Sequence, residues 1–434
     1  MKTRLLALLI TPWLLIGIPG LVLADTWHVA ADGSEALVEI QAAISGATSG
    51  DSVIVHPGTY FEAINFLGKK LVVTSQAGPE QTIIDAVNQG QSVVRMISNE
   101  PAGTELSGFT LTHGTGSALG TGKTRGGGIQ CSSASALIRN NIICSNSAYI
   151  GGGAAIGVEV GLPPTPPIIT FSGNKVCHNS CDRIGGGISV ASSQLSATQN
   201  SFEANTSAYD GGAGYVGLPS GSATFIDNTF QDNSAGDHGG GLALTCEPEL
   251  GCSGIEVIRN VFTRNVAEGR GNGDTGAGGA LYLSGLARIL VENNTIYKNQ
   301  AMGESACQGG GIAYYFTTPE CVVRHNIIAY NSSCGLICVE TSGTIGPNLL
   351  WENDVSNVSA GYCSIDPAGG IIIADPMICD LASNTAGVSS NSPALTGGVP
   401  MGANLVPECQ DVQVVPTTWS QMKVWGGFKP RIRE

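Results

Sequence analysis

The stretch Phe225-Ile-Asp-Asn228-Thr-Phe-Gln-Asp-Asn233-Ser-Ala-Gly-Asp-His-Gly239-Gly-Gly-Leu242 decides how this chain folds. An apolar residue is followed three positions later by Asn, five further on by a second Asn, and then by a glycine block that opens an apolar segment. The six-residue core (Asn, any residue, an apolar residue, two variable residues, Asn) recurs seven times, beginning at Asn141, Asn174, Asn200, Asn228, Asn260, Asn294 and Asn326. The second Asn of each copy is Asn146, Asn179, Asn205, Asn233, Asn265, Asn299 or Asn331, and successive copies lie 26 to 34 residues apart. Small-residue blocks, from Gly126–Gly128 to Gly309–Gly311, accompany the copies. Self-similarity at such a period marks a repeat architecture.

Each unit reads as three short extended pieces: one opened by the glycine block, one ending at the first Asn, and one between the two Asn. Pieces of three to five residues cannot bury a face alone, but stacked units bury a continuous apolar column. The expected fold class is all-β, a right-handed single-stranded parallel β-helix (solenoid) with an N-terminal capping helix. At ~4.8 Å per rung, seven repeats span about 34 Å. The first Asn of each copy is expected in a one-residue corner with φ > 0, which Asn tolerates. Stacked Asn would then pass amide hydrogen bonds along the column.

Outward from the repeats, residues 25–125 read as a cap and opening rungs, 126–340 as the seven-repeat β-helix, 341–405 as terminal rungs, and 406–434 as a tail. The apolar spacing of Leu37, Val38, Ile40, Ala43 and Ile44 predicts a helix over Glu35–Ala47 that plugs one end of the column. Thr418–Lys423 is a candidate closing helix or strand. Residues 1–24 combine Lys2 and Arg4 with an apolar run and a small-residue end, the pattern of a secretory signal peptide. An uncleaved anchor is the rival reading, opposed by Pro12 and Pro19. No other segment is apolar for the ~18 residues that a membrane span needs. The expected location is therefore secreted or cell envelope, with a monomer expected.

Of 434 residues only 12% are charged and 61 are Gly, which excludes coiled coils and bundles, while 42% hydrophobic residues exclude wholesale disorder. The net charge is −14, and −16 without Lys2 and Arg4. Such a surface repels nucleic acid and anionic lipid, and would meet an acidic polysaccharide only through a bridging cation. The 13 Cys all lie at or beyond Cys131. Cys246 and Cys252 close a short loop and are the favoured disulfide. Cys177/Cys181 and Cys334/Cys338 have C-x3-C spacing with no His at ligand spacing, so no zinc site is expected there.

The alternation of Phe225-Ile-Asp-Asn228 with Gly239-Gly-Gly-Leu242 resembles the right-handed parallel β-helix repeat proteins of bacterial surfaces, including the polymorphic outer-membrane protein repeats. The opening, Ile40-Gln-Ala-Ala-Ile44 through Val55-His-Pro-Gly-Thr-Tyr60, is similar to the first rungs of the pectate-lyase-like superfamily. The likeness spans about residues 25 to 405. It implies a fold rather than an activity, because this architecture hosts lyases, hydrolases, tailspikes and adhesins. Enzymes of this kind work on the sheet opened here by the glycine blocks.

On that sheet the outward positions are Gln130, Ala155, Ser189, Tyr215, Ala243, Tyr282 and Ala313. None is charged, whereas hydrolysis wants two placed carboxylates and β-elimination a base with cation assistance. Tyr215 and Tyr282, two rungs apart, are the candidate ligand-binding pair for a glycan chain. The loops before the glycine blocks carry Asp182, Asp210, Asp237 and Asp274, which at rung spacing would either repel one another or share Ca2+. Asp237, His238 and Arg270 are the catalytic candidates for a lyase-like site. Gly120-Thr-Gly-Lys-Thr124 lacks the first glycine of a phosphate loop, and Asp237-His-Gly239 lacks the companion motifs of a polygalacturonase. The leading reading is a non-catalytic exported scaffold or adhesin-like protein that needs no cofactor and binds extracellular polysaccharide or a cell surface. The alternative is a Ca2+-dependent polysaccharide lyase.

Overall fold

Alternating apolar positions separated by corners let each unit hydrogen-bond to the next one along its whole perimeter. The computed structural model describes residues 24–118, 122–157, 166–217, 220–245, 252–270, 276–285, 288–303, 307–315, 321–339, 343–360, 364–365, 370–382, 385–396, 401–403 and 405–409. Among these, strands from successive units form stacked sheets of 13, 12, 11 and 8 strands. Pairing between units is parallel throughout; a local pair, Ser117–Ala118 with Thr124–Arg125, is antiparallel. This is a right-handed parallel β-helix. With twelve intervals of ~4.8 Å, the longest sheet runs about 58 Å, well beyond the seven repeats alone.

The six turns from Ile129 to Ala301 contain four strands each, not the three expected. The fourth follows the second Asn, as in Ser147–Ile150, Ser180–Ile184, Thr206–Ser207, Ser234–Ala235 and Val266–Ala267. The last three of these are only two residues long and have no alternation of their own to read. They are strands because the rungs on either side supply the ladder.

The glycine-block strands stack as expected. Ile129, Ala154, Ile188, Gly214, Leu242, Leu281 and Ile312 form one inward file, and Cys131, Ile156, Val190, Val216, Leu244, Leu283 and Tyr314 the next. Phe202, Phe230 and Phe262, each two residues after a first Asn, stack inside the column with centroids 5.0 and 4.5 Å apart. One apolar core runs from Val29 to Leu350.

The asparagines line the column in two ladders. All fourteen repeat Asn, from Asn141 to Asn331, are buried, and each Oδ1 above the foot accepts from the backbone N–H and the Nδ2 of the Asn one rung below. Asn141 and Asn146, at the foot, accept from Phe109 N and Gly114 N instead. The expected corner conformation falls one residue earlier. No ladder Asn has positive φ; the preceding residue does in all fourteen cases, from Asn140 (54°) and Ser145 (60°) to His325 (56°) and Tyr330 (57°). An Asn in the left-handed corner would aim its amide away from the column, so the neighbour takes the turn and the Asn points inward. These corner residues pair on the surface, Arg259 bidentate to Asp227 and Arg264 bidentate to Asp232 at 2.7–2.9 Å. An eighth copy, Asn348-Leu-Leu-Trp-Glu-Asn353, continues both ladders after a shorter step of 22 residues.

The glycines serve the next corner. Gly185 turns at φ 72°, and a Cβ on Gly186 would run into the Gly212 carbonyl of the neighbouring rung.

At the N-terminal end the helix is Ile40–Gly46, shorter than expected, because Leu37 bridges Val29 in extended conformation. Its apolar face, Ile40, Ala43 and Ile44, is buried, and it packs on Thr26–Val29, Ser52–Val55 and Ile64–Asn65. The Glu62 carboxylate accepts from Ile40 N and Gln41 N at 2.8 Å, satisfying two open N–H groups of the first turn. At the other end the stack reaches Ile371–Ile373 and is followed by a three-stranded sheet with one antiparallel pairing, Ile378–Ala382, Thr385–Ser389 and Leu405–Cys409, which the sequence did not suggest. Residues 1–23 and Thr418–Lys423 lie outside the described residues. No described helix is long and apolar enough to cross a membrane.

Disulfides join Cys144 to Cys177 and Cys307 to Cys334. Cys144 and Cys177 face each other in register on neighbouring rungs, so the linkage runs along the column rather than within a C-x3-C segment. Cys246 lies outside the described residues, as does the side chain of Cys252. Cys131 and Cys181 are buried thiols, each pushed up to about 12 by burial.

Asp51 ties down the first corner. Its carboxylate accepts from Thr48 N (2.7 Å), Asp25 N (2.9 Å), Thr48 Oγ1 (3.2 Å) and Trp27 Nε1 (3.3 Å). These bonds, led by the Thr48 and Asp25 amides, hold its carboxyl below the ordinary value. A carboxyl depressed on folding contributes stability that is present above its unfolded value and lost as pH falls through the folded one. We expect urea midpoints to fall below about pH 4, and Asp51→Asn to be weaker at neutral pH with a shallower acid loss. Parallel acid curves for the two proteins would contradict this.

Candidate functional site

The outward file of the glycine-block sheet carries no charge from Gln130 to Ala313, as expected, but one rung below, in the strand Val94–Met96, Arg95 faces Gln130. That rung has no glycine block, so the repeat pattern did not reach it. The file is also not an open face. Gln130, Ala155, Ser189, Ala243 and Ala313 are buried. Ala313 belongs to a small cluster outside the column with Ala277 and Ile337, against which Tyr282 and Tyr315 pack. Tyr215 and Tyr282 stand out, half-buried and two rungs apart with Ala243 between them.

Around Tyr282 the structure gathers groups from several units. The Tyr282 ring meets His238 edge-on at 4.3 Å and lies 5.7 Å from Tyr315. His238 donates its backbone N–H to Asp210 Oδ1 (3.2 Å) and places Nδ1 3.5 Å from the same oxygen. Tyr215 Oη is 2.8 Å from Thr245 Oγ1. Burial, reinforced by Asp210, Tyr315 and Tyr215, raises the Tyr282 phenol, and burial raises Tyr315. Both hydroxyls therefore stay neutral at physiological pH and act as hydrogen-bonding groups rather than bases.

The other two catalytic candidates, Asp237 and Arg270, sit alongside. Arg270 Nε is 3.2 Å from Asp237 Oδ1, the guanidinium donates to the Ala208 carbonyl, and its carbon lies 3.0 Å from the centre of the Tyr209 ring. Tyr209, which the sequence reading missed, thus backs this arginine.

The aspartates do not form a vertical file. Backbone bonds place Asp210 level with His238 and Asp237 level with Tyr209, while Asp182 is exposed on the strand below. The reason lies in the loops: counted back from the aligned first glycines Gly185, Gly211, Gly239 and Gly278, the aspartates stand three, one, two and four residues away. Spacing alone suggested a column, and loop register undoes it. None of Asp182, Asp210 and Asp237 joins a group of three ligating atoms within 4.8 Å among the described residues. Asp274 lies outside them.

Across 83% of its length the chain is similar to the crystal structure of pectate lyase Pel9A, covering 84% of that chain at 14% identity and a TM-score of 0.41. No protein-family model and no curated protein matches the sequence. The fold assignment accordingly rests on the ladders and registers described above.

Proposed function

We propose that this chain is an exported β-helix that binds a polysaccharide or cell-surface glycan without turning it over, using the tyrosine face around Tyr282. The observation that carries this reading is the half-buried set of Tyr215, Tyr282 and Tyr315, flanked by Asp210 and His238. Sugars are recognised by aromatic faces together with polar groups at the ring edges, and this set offers both. The charged groups support binding over β-elimination. Arg270 is engaged by Asp237, the Ala208 carbonyl and Tyr209, and Asp210 by His238.

The Ca2+-dependent lyase remains the competing reading, motivated by Asp237 and Arg270 in one ion pair on the wall beside this sheet. A glycan array followed by titration of the best ligand tests the first reading. Tyr282→Ala is expected to weaken the dissociation constant about tenfold, roughly 1.4 kcal/mol. Uronate polymers incubated with Ca2+ test the second. Unsaturated product that disappears in Asp237→Ala or Arg270→Ala would replace the binding role with catalysis.

A further inference from the structure

The opening rungs hold a three-residue cluster that the tyrosine face does not use. His28 lies in Thr26–Val29, the edge strand of the 13-stranded sheet, and His56 follows Ser52–Val55, its neighbour. Glu35 comes from the intervening turn. His28 Nδ1 is 3.3 Å from His56 Nε2, His56 Nε2 is 3.6 Å from Glu35 Oε1, and all three ligand atoms lie within 4.8 Å of one another.

The 3.3 and 3.6 Å separations lie close to the edge length of a coordination tetrahedron. Zinc binds imidazole nitrogen at about 2.0–2.1 Å and carboxylate oxygen at about 2.0–2.2 Å. Tetrahedral angles then set neighbouring ligand atoms about 3.3–3.5 Å apart. Two imidazoles at this distance share at most one proton between the facing nitrogens, and a cation with an adjacent carboxylate satisfies both lone pairs.

The backbone holding the ligands is braced independently. His56 N donates to Val29 O (2.9 Å), and Ala30 N donates to Leu37 O (2.9 Å) across the turn that carries Glu35. The Tyr60 hydroxyl lies 2.9 Å from His56 O and 3.2 Å from Val29 O, and accepts from Ala31 N at 3.2 Å. The strand, the turn and the second rung are thus fixed relative to one another without the ion.

We propose that His28, Glu35 and His56 bind one divalent transition-metal ion of the zinc class, with the fourth position left to water. The ion staples the edge strand and its turn to the second rung. Two nitrogen ligands and one oxygen select zinc-class ions over Ca2+, which prefers six or more oxygens. Because the unfolded chain has no such preformed site, binding stabilises the folded state.

The test uses the protein stripped with EDTA and titrated with Zn2+ by calorimetry. One ion per chain is expected, with a rise in the urea midpoint that Ca2+ does not reproduce. His28→Ala and His56→Ala should each weaken binding about tenfold or more and remove the zinc-dependent rise. These side chains are partly exposed, so the variants should keep the wild-type far-UV spectrum. Zinc-edge absorption on the wild type gives a check that needs no variant, with nitrogen and oxygen expected at about 2.0–2.1 Å. A sulfur shell near 2.3 Å, or zinc affinity unchanged in both His variants, would overturn the assignment.

Discussion

Replacing Asn228 with Ala is expected to lower the unfolding free energy by about 3–6 kcal/mol. Asn228 is fully buried midway along the first ladder. Its Oδ1 accepts from Asn200 N and Asn200 Nδ2, both at 2.9 Å, and its Nδ2 donates to Ala197 O at 3.0 Å and Asn260 Oδ1 at 2.9 Å. The methyl group makes none of these bonds. Asn200 N, one Asn200 amide hydrogen and Ala197 O are left buried without those partners, at about 1–2 kcal/mol each. The drop should appear as a lower urea midpoint by circular dichroism, beside a near-silent control at Gln194, exposed on the strand Ser193–Thr198. A loss below about 1 kcal/mol would mean that water replaces the amide and that the ladder is not the spine of the fold. Asn228→Asp sharpens the test. The oxygen that replaces Nδ2 would face two acceptors, Ala197 O and Asn260 Oδ1, in a buried site, so the folded pKa is expected above the unfolded value. The variant should recover stability as pH falls toward that unfolded value and lose it as pH rises.

The second large effect is expected at Phe230, which is fully buried between Phe202 and Phe262 in a near-parallel stack. Phe230→Ala should cost about 3–5 kcal/mol, combining lost transfer energy with a cavity. The cavity closes poorly because the rungs above and below are pinned by the Asn205–Asn233–Asn265 ladder. Phe230→Leu should recover most of the loss. Equal losses for Ala and Leu would point to ring stacking rather than volume.

Much of the fold could be read from the chain because the repeat states the same instruction many times. The inward files from Ile129 to Ile312 followed directly from the glycine blocks and period-two alternation. The eighth copy at Asn348 carries the same pattern, but its 22-residue step falls outside the 26–34-residue period of the others. The placement of positive φ was misassigned by one residue. Asn tolerates that conformation, but the demand of the ladder for an inward amide outweighs its local preference. The site was less legible: Tyr209 lies in a loop, Tyr315 stands in a file with Ser284, Thr245 and Gly217, and their partners Arg270 and Tyr282 come from other units.

By itself, the sequence determined that the chain coils into stacked parallel rungs with an apolar inside, asparagine-lined corners and glycine-lined turns. Those features depend on local alternation and on identical neighbours one period away, so position along the chain implies position in space. Only the tertiary structure decided the fourth sheet, the pairing of Asp210 with His238 and Asp237 with Arg270, and the meeting of His28, Glu35 and His56. Loops of unequal length shift register between rungs, and contacts between such loops depend on that shift rather than on the period.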